Sequence, residues 1–181
     1  MSSSTQTRIA PAGRRSGIDD ATTDLAWVAK APKQPMVLEP VDLGPLGPED
    51  VEVAVEHCGL CHFDLSVLNS EWGISQFPAI LGHEVSDRVT AVGPNAKGIR
   101  VGQLVGVGLS AFSLILQQRG LSGSPVAIAT MLDFAARHNV APQTEHFPMS
   151  RINEAFARLE SGKARYRIVL DADSTLDHSR A

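Results

Sequence analysis

Two short segments hold the residues whose types and spacing could do chemistry. One is Cys58-Gly59-Leu60-Cys61-His62-Phe63-Asp64-Leu65; the other is Gly82-His83-Glu84. Thiolate and imidazole suit a borderline-soft ion such as Zn2+. A catalytic zinc takes three protein ligands and keeps a fourth position open for water or substrate. A strand-to-loop segment at Cys61 and a strand start at His83 could present both groups to one ion. Bound zinc would lower the pKa of an alcohol toward neutrality. A lone Cys and a lone His are by themselves ordinary core residues, and Cys58 reads as a small buried side chain rather than a ligand.

Two other chemistries share these letters. Cys58-x-x-Cys61-His62 matches the haem c attachment motif. That motif requires export, and the first residues, MSSSTQTRIAPAGRRSGIDDATTD, have no apolar central stretch. Cys58-x-x-Cys61 also matches a thiol redox pair, which leaves Gly82-His83-Glu84 without a role.

The elements that must position these groups follow from periodicity. Val51, Val53 and Val55 alternate with Glu52, Ala54 and Glu56, which predicts a half-buried strand. The pattern predicts a short helix over His62–Asn69, a strand over Glu84–Val92, and another over Val101–Val107. Ile128, Met131, Leu132 and Ala135 follow helical spacing. So do Ile152, Ala155, Phe156 and Leu159, with Ser150 as the expected N-cap and Gly162 as the stop. Tyr166–Leu170 is expected to be a closing strand.

The runs CGLCHFDL, FPAILGHE, VTAVGPNAKGIRVGQLVGVG and INEAFARLESGKARYRIVLD resemble zinc-dependent alcohol dehydrogenases of the medium-chain dehydrogenase/reductase family, above all the cinnamyl-alcohol-dehydrogenase-like branch. The resemblance runs discontinuously from Ala26 to Asp173. It implies that Cys61 and His83 are catalytic zinc ligands. It implies that Glu84 is an alternate ligand or an outer group, and that Asp64 orients His83, as outer carboxylates do. Trp72 and Phe63 would line the substrate pocket. His62 would lie near the phosphates of NAD(P), with Lys163 and Arg165 as weaker contacts. The substrate would be a small alcohol or aldehyde.

The fold class implied is mainly β with α: a GroES-like β-barrel plus a short remnant of a Rossmann domain. Residues 1–24 and 174–181 are expected to be flexible tails. Residues 25–108 would be the first barrel segment, 109–140 the Rossmann remnant, and 141–173 the helix and strand that complete the barrel.

The departures from the family matter as much. Its third zinc ligand is a Cys well beyond Gly-His-Glu, and its structural zinc uses four clustered cysteines; this chain has two cysteines in all. Most of the Rossmann domain that would follow Gly108 is missing. Gly106-Val107-Gly108-Leu109-Ser110-Ala111 fits a dinucleotide fingerprint in letters, but the resemblance places it at the end of a barrel strand. Phe63 stands where the family uses Ser or Thr to relay the alcohol proton, a step worth about 10²–10⁴-fold. Asp87 stands where the family prefers Gly, and Gln103 where it prefers Asp.

The expected function is a truncated member of this family that is not catalytic alone. The alternatives are an active alcohol oxidoreductase, or a non-catalytic zinc-binding barrel completed by a partner. A net charge of −4 and a pI near 5.8 argue against nucleic acid. No apolar run is long enough to cross a membrane. Two cysteines without a secretory signal point to the cytoplasm. Phe112, Leu114, Ile115 and Leu116 would lose their family neighbours, so a homo-oligomer is expected.

Overall fold

A computed structural model describes residues 7–11, 23–108 and 125–173. The strands are β1 (Thr7–Pro11), β2 (Thr23–Val28), β3 (Val37–Asp42), β4 (Val51–Leu60), β5 (Glu84–Val92), β6 (Leu104–Val107), β7 (Thr144–Pro148) and β8 (Arg167–Asp171). The helices are α1 (His62–Leu68), α2 (Pro125–Arg137) and α3 (Ile152–Glu160), with a 3-10 turn at Met149–Arg151 before α3.

One mixed sheet runs β6-β5-β4-β8-β7, with β1 also on β4; β2 and β3 form a separate antiparallel pair. The long strand β4 is its spine. Along one edge it pairs antiparallel with β5, with register shifts at Glu52/Val53 and Val55/His57. Along the other edge its first half meets β1 in parallel, and its second half, from His57, meets β8 antiparallel. Residues 7–11 are therefore a strand rather than part of a tail: β8 leaves Val51–Val55 with a free row of backbone groups, and β1 pairs with it. The rest of the expected tails, Gly106-x-Gly108's continuation and Phe112, Leu114, Ile115 and Leu116 lie outside the described residues.

Strand β4 was expected to be half-buried, yet Val51–Val55 are buried on both faces, Glu52 included. The Thr90 hydroxyl donates to Glu52 Oε1 at 3.1 Å, which meets part of the carboxylate's need for partners. Strand β6 starts at Leu104 rather than Val101, because residues 100–103 form a turn in which Gly102 takes φ +83°. Ser150 does not cap α3. The N-cap is Arg151, without a side-chain bond, and the Ser150 hydroxyl donates instead to Asp173 Oδ2 at 2.6 Å. Strand β8 sits one residue later than expected.

The main core gathers Cys58 and Leu60 of β4, Leu65 and Leu68 of α1, Val85 of β5, Ile168 and Leu170 of β8, and the α3 stripe Ile152, Ala155, Phe156 and Leu159. A smaller cluster holds Val51, Val53 and Val89. The two clusters meet on either side of Asp87. Asn153 ties α3 to the loop before β3: its Oδ1 accepts from Met36 N at 2.8 Å and its Nδ2 donates to Met36 O at 3.0 Å. Helix α2 forms where the apolar spacing predicts it, but Ile128, Met131, Leu132 and Phe134 are exposed.

Candidate metal centre

Cys61 sits at the point where β4 ends and α1 begins, and it is the N-cap of that helix. Its sulfur accepts from Phe63 N–H at 3.2 Å, while its own N–H donates to Asp64 Oδ2 at 3.0 Å. This is a capping box with a thiol in place of a hydroxyl. The sequence signal was the acid three residues after Cys61; Cys is not a usual cap, so the signal is easily passed over.

His83 enters from the turn before β5. Its Nδ1–H donates to Asp64 Oδ1 at 3.0 Å, which leaves Nε2 facing Cys61 Sγ at 3.5 Å. Gly82 N–H donates to the same Oδ1 at 3.1 Å. Asp64 thus takes three N–H donors while buried, so one carboxylate fixes the cap, the turn and the imidazole together. Gly82 is required here: its φ is +113°, and an added Cβ would stand 2.6 Å from Cys58 Sγ.

The donor pair fits zinc. Bonds of about 2.3 Å to sulfur and 2.05 Å to nitrogen at a tetrahedral angle separate the two ligand atoms by about 3.6 Å. Asp64 lies close enough to Cys61 and His83 to share an ion. Its oxygens, however, are committed to three N–H groups, so it orients rather than ligates. Glu84 Oε1 stands 3.8 Å from His83 Nε2 and 3.3 Å from Arg167 Nη1. A tetrahedral oxygen ligand would lie about 3.4 Å from that nitrogen, but Glu84 falls outside the group of ligand atoms that Cys61, His83 and Asp64 form, so it has to swing toward Cys61 and release Arg167 to join the shell.

The two cysteines differ. Burial pushes the Cys58 thiol up to about 12, and the Asp64, Asp87 and Glu84 charges add to this. A thiol so held is inert. It also cannot pair with Cys61: β4 stays extended to Leu60, which sets the two Cα atoms about 10 Å apart, beyond the ~7 Å limit of a disulfide. Burial raises the Cys61 thiol as well, against the pull of the Phe63 N–H. Cys61–His83–Asp64 has the connectivity of a nucleophile, base and orienting acid, but a raised thiol pKa disfavours the free thiolate that such catalysis needs. A metal supplies its own reason for the proton to leave.

Around the donors, Phe63 sets its ring edge on His83 with centroids 5.1 Å apart, and Trp72 lies 5.3 Å from Phe63. Of the two expected pocket residues, Phe63 thus stands beside the imidazole and Trp72 packs on Phe63. On the other side of Cys61 lies a cavity of about 440 Å³, which His62 and Arg167 line together with Gln143 and Tyr166. Arg165 is not part of it. Its N–H donates to Glu145 Oε1 at 2.7 Å, and its side chain is exposed. Arg167, two residues on, is the cation that the sequence reading missed; Arg165 lies before β8, across Tyr166 at φ +65°, whereas Arg167 is the strand's first residue. Gln103, in place of the expected Asp, accepts from Arg100 N–H at 3.3 Å and closes the turn before β6.

The alcohol dehydrogenase GroES-like domain family matches residues 47–143. An aldehyde reductase, AdhA, of Synechocystis sp. is 46% identical over 83 residues, which are 46% of this chain and 24% of that protein. Cinnamyl alcohol dehydrogenase 1 of Capsicum annuum is 42% identical over 87 residues, 48% of this chain and 24% of its own length. A solved cinnamyl alcohol dehydrogenase of Sorghum bicolor is 36% identical, with a TM-score of 0.46 over 48% of this chain and 24% of that one. The chain therefore spans about a quarter of the length of the curated relatives it matches. With the family's domain matching more than half of its residues, this chain is a member of the alcohol dehydrogenase GroES-like family.

Proposed function

We propose that this chain is a zinc-holding GroES-like unit of an alcohol or aldehyde oxidoreductase that does not turn over alone. The observation that carries it is the 3.5 Å approach of Cys61 Sγ and His83 Nε2, with Asp64 bound to the far side of the imidazole. Cys61 and His83 would hold the ion, and Glu84 is the nearest group able to add a third ligand. When bound, zinc supplies Lewis acidity toward an alcohol or carbonyl oxygen.

The chain's own residues do the rest. Asp64 keeps the proton on His83 Nδ1, so that Nε2 carries the free lone pair. Phe63, packed against the His83 ring, and Trp72, packed against Phe63, would seat the organic part of a small alcohol or aldehyde. Phe63 has no hydroxyl, so it passes no proton outward. On the cavity side, His62 and Arg167 offer the charge and donors that suit the phosphates of NAD(P).

Among the described residues no unit seats a nicotinamide. A βαβ unit takes about 30 residues or more and returns a second parallel strand beside the first. The strand after α2 is β7, and it pairs with β8 in the main sheet. Hydride transfer would therefore depend on a dinucleotide fold supplied from outside the described residues. The test is zinc content and NAD(P)H binding on the purified chain. The expected result is one zinc per chain, lost in Cys61→Ser, with no alcohol turnover. Zinc unchanged by that substitution would remove the site, and tight dinucleotide binding with turnover would remove that dependence.

A further inference from the structure

Asp87 is fully buried, and neither carboxylate oxygen has a hydrogen-bond partner in good geometry. It points inward with Val85 and Val89, between the two apolar clusters. Its strand neighbours are Val55 of β4 and Val105 of β6, and it stands at the register shift between Val55 and His57. The titratable groups near it come from β4: Glu56, His57 and Cys58. Strand β6 contributes only Leu104, Val105, Gly106 and Val107. Arg88, the next residue, is committed elsewhere, to Glu56 and to Gly102 O. Of these side chains only His57 favours an ionised Asp87, and its Nδ1 is held by Asp171 Oδ1 at 2.8 Å; burial outweighs it, since a dry carboxylate is strongly disfavoured.

The two sides of Asp87 differ in what it takes to move them. β4 is bonded along both edges, to β5 and to β1 and β8. Among the described residues β6 has four residues, one partner strand, and Leu104 at 57% exposure. Water reaches the carboxylate most cheaply by lifting β6.

We propose that the β5–β6 seam is a pH-sensitive device, closed while Asp87 is protonated and opened to water when it ionises. Burial pushes the Asp87 carboxyl from 3.8 up to about 6; the Glu56 charge adds to this, and the Glu56 main-chain N–H and His57 oppose it. The sign follows from that direction. Below the ordinary value both folded and unfolded chains hold the proton, and the closed seam keeps its full stability. Between there and about 6 the unfolded chain releases its proton first, so stability falls as pH rises.

The experiment is urea unfolding from pH 4 to pH 7, followed by tryptophan fluorescence, on the whole chain and on Asp87→Asn. Amide exchange over residues 104–107, corrected for chemical rates, is measured alongside. Between those two values the wild-type unfolding constant is expected to rise on the order of 50-fold relative to the variant. Exchange over the seam should quicken in the wild type alone. Parallel stability curves, or seam amides equally protected at both ends, would overturn the proposal. If Asp87→Asn does not fold, Asp87→Gly removes the same titration and gives the same comparison.

Discussion

Two regions of this chain treat burial in opposite ways. At the corner where α1 and α3 meet β4 and β8, the buried carboxylate of Asp64 has three N–H donors, and the apolar stripe of α3 is covered. At the periphery, along β5–β6 and on α2, the buried carboxylate of Asp87 has no hydrogen-bond partner in good geometry, and the apolar stripe of α2 is wet. The residue types are the same. What differs is whether the surrounding chain supplies partners, and that decides which region carries stability and a site.

The largest contrast expected is between two phenylalanines. Phe156 of α3 is 4% exposed, and Phe156→Ala should cost about 3–5 kcal/mol, the range for emptying a core aromatic site. Phe134 of α2 is 54% exposed, and Phe134→Ala should stay within about 0.5 kcal/mol. Urea titration of both variants measures the difference. Equal losses would show that α2 is covered in solution and would erase the contrast.

Asp64→Ala comes next. It strands Cys61 N–H, Gly82 N–H and His83 Nδ1–H in a buried corner. Each unsatisfied group costs about 1–3 kcal/mol, less where the corner relaxes, so a loss of about 3 kcal/mol is expected. The milder Asp64→Asn should weaken zinc binding about 10–100-fold, because the imidazole loses its fixed tautomer. Competition with a chromophoric chelator measures this. Unchanged affinity would make Asp64 a structural cap alone.

Gly82→Ala should be smaller but still unfavourable, by about 1–3 kcal/mol. A methyl group there meets Cys58 Sγ, on a backbone that L side chains rarely adopt. Thermal unfolding of Gly82→Ala beside Gly82→Ala/Cys58→Ala separates the two causes. Full rescue by the second change would assign the loss to the clash rather than to φ.

Much of the well-satisfied corner was legible in the sequence. Apolar spacing marked α3, and the switch from alternating to helical spacing marked α1 directly after Cys61. The pairing of Cys61 with His83 came from the resemblance, and the geometry is consistent with it. The periphery was less legible, for physical reasons. The spacing that predicts α2 says that one face is apolar but not what lies against it. Asp87 was marked as a departure from glycine, but the lack of hydrogen-bond partners depends on how β4, β5 and β6 pack across it. Strand β1 went unseen because its sequence has little apolar alternation; it pairs only where β8 leaves an edge open. Arg167 was missed in favour of Arg165 because both are basic, and what tells them apart is the start of β8 at Arg167 after the left-handed Tyr166, which residue types alone do not show.

The smallest effect bears on the comparison from the acid side. Glu145 is a half-buried carboxylate that accepts from Arg158 Nε and Nη2 at 2.9 and 3.0 Å and from Arg165 N–H. The Arg158 hydrogen bonds, then the Arg165 N–H, hold it down at about 2. A lowered carboxyl supports the fold above its ordinary value of 4.5, and that support drains away as pH falls toward 2. Asp87 has the reverse slope, with its penalty growing as pH rises toward 6. Between the two windows, near pH 4 to 4.5, both groups favour the folded chain. Glu145→Gln should therefore lower stability by a small, constant amount above that range, with the difference shrinking below it; the amount is small because solvent screens a partly exposed pair. Urea unfolding between pH 2.5 and 7 reads it. A Glu145→Gln difference that grows toward acid would reverse the sign assigned here and separate this ion pair from the closing of β7 against α3.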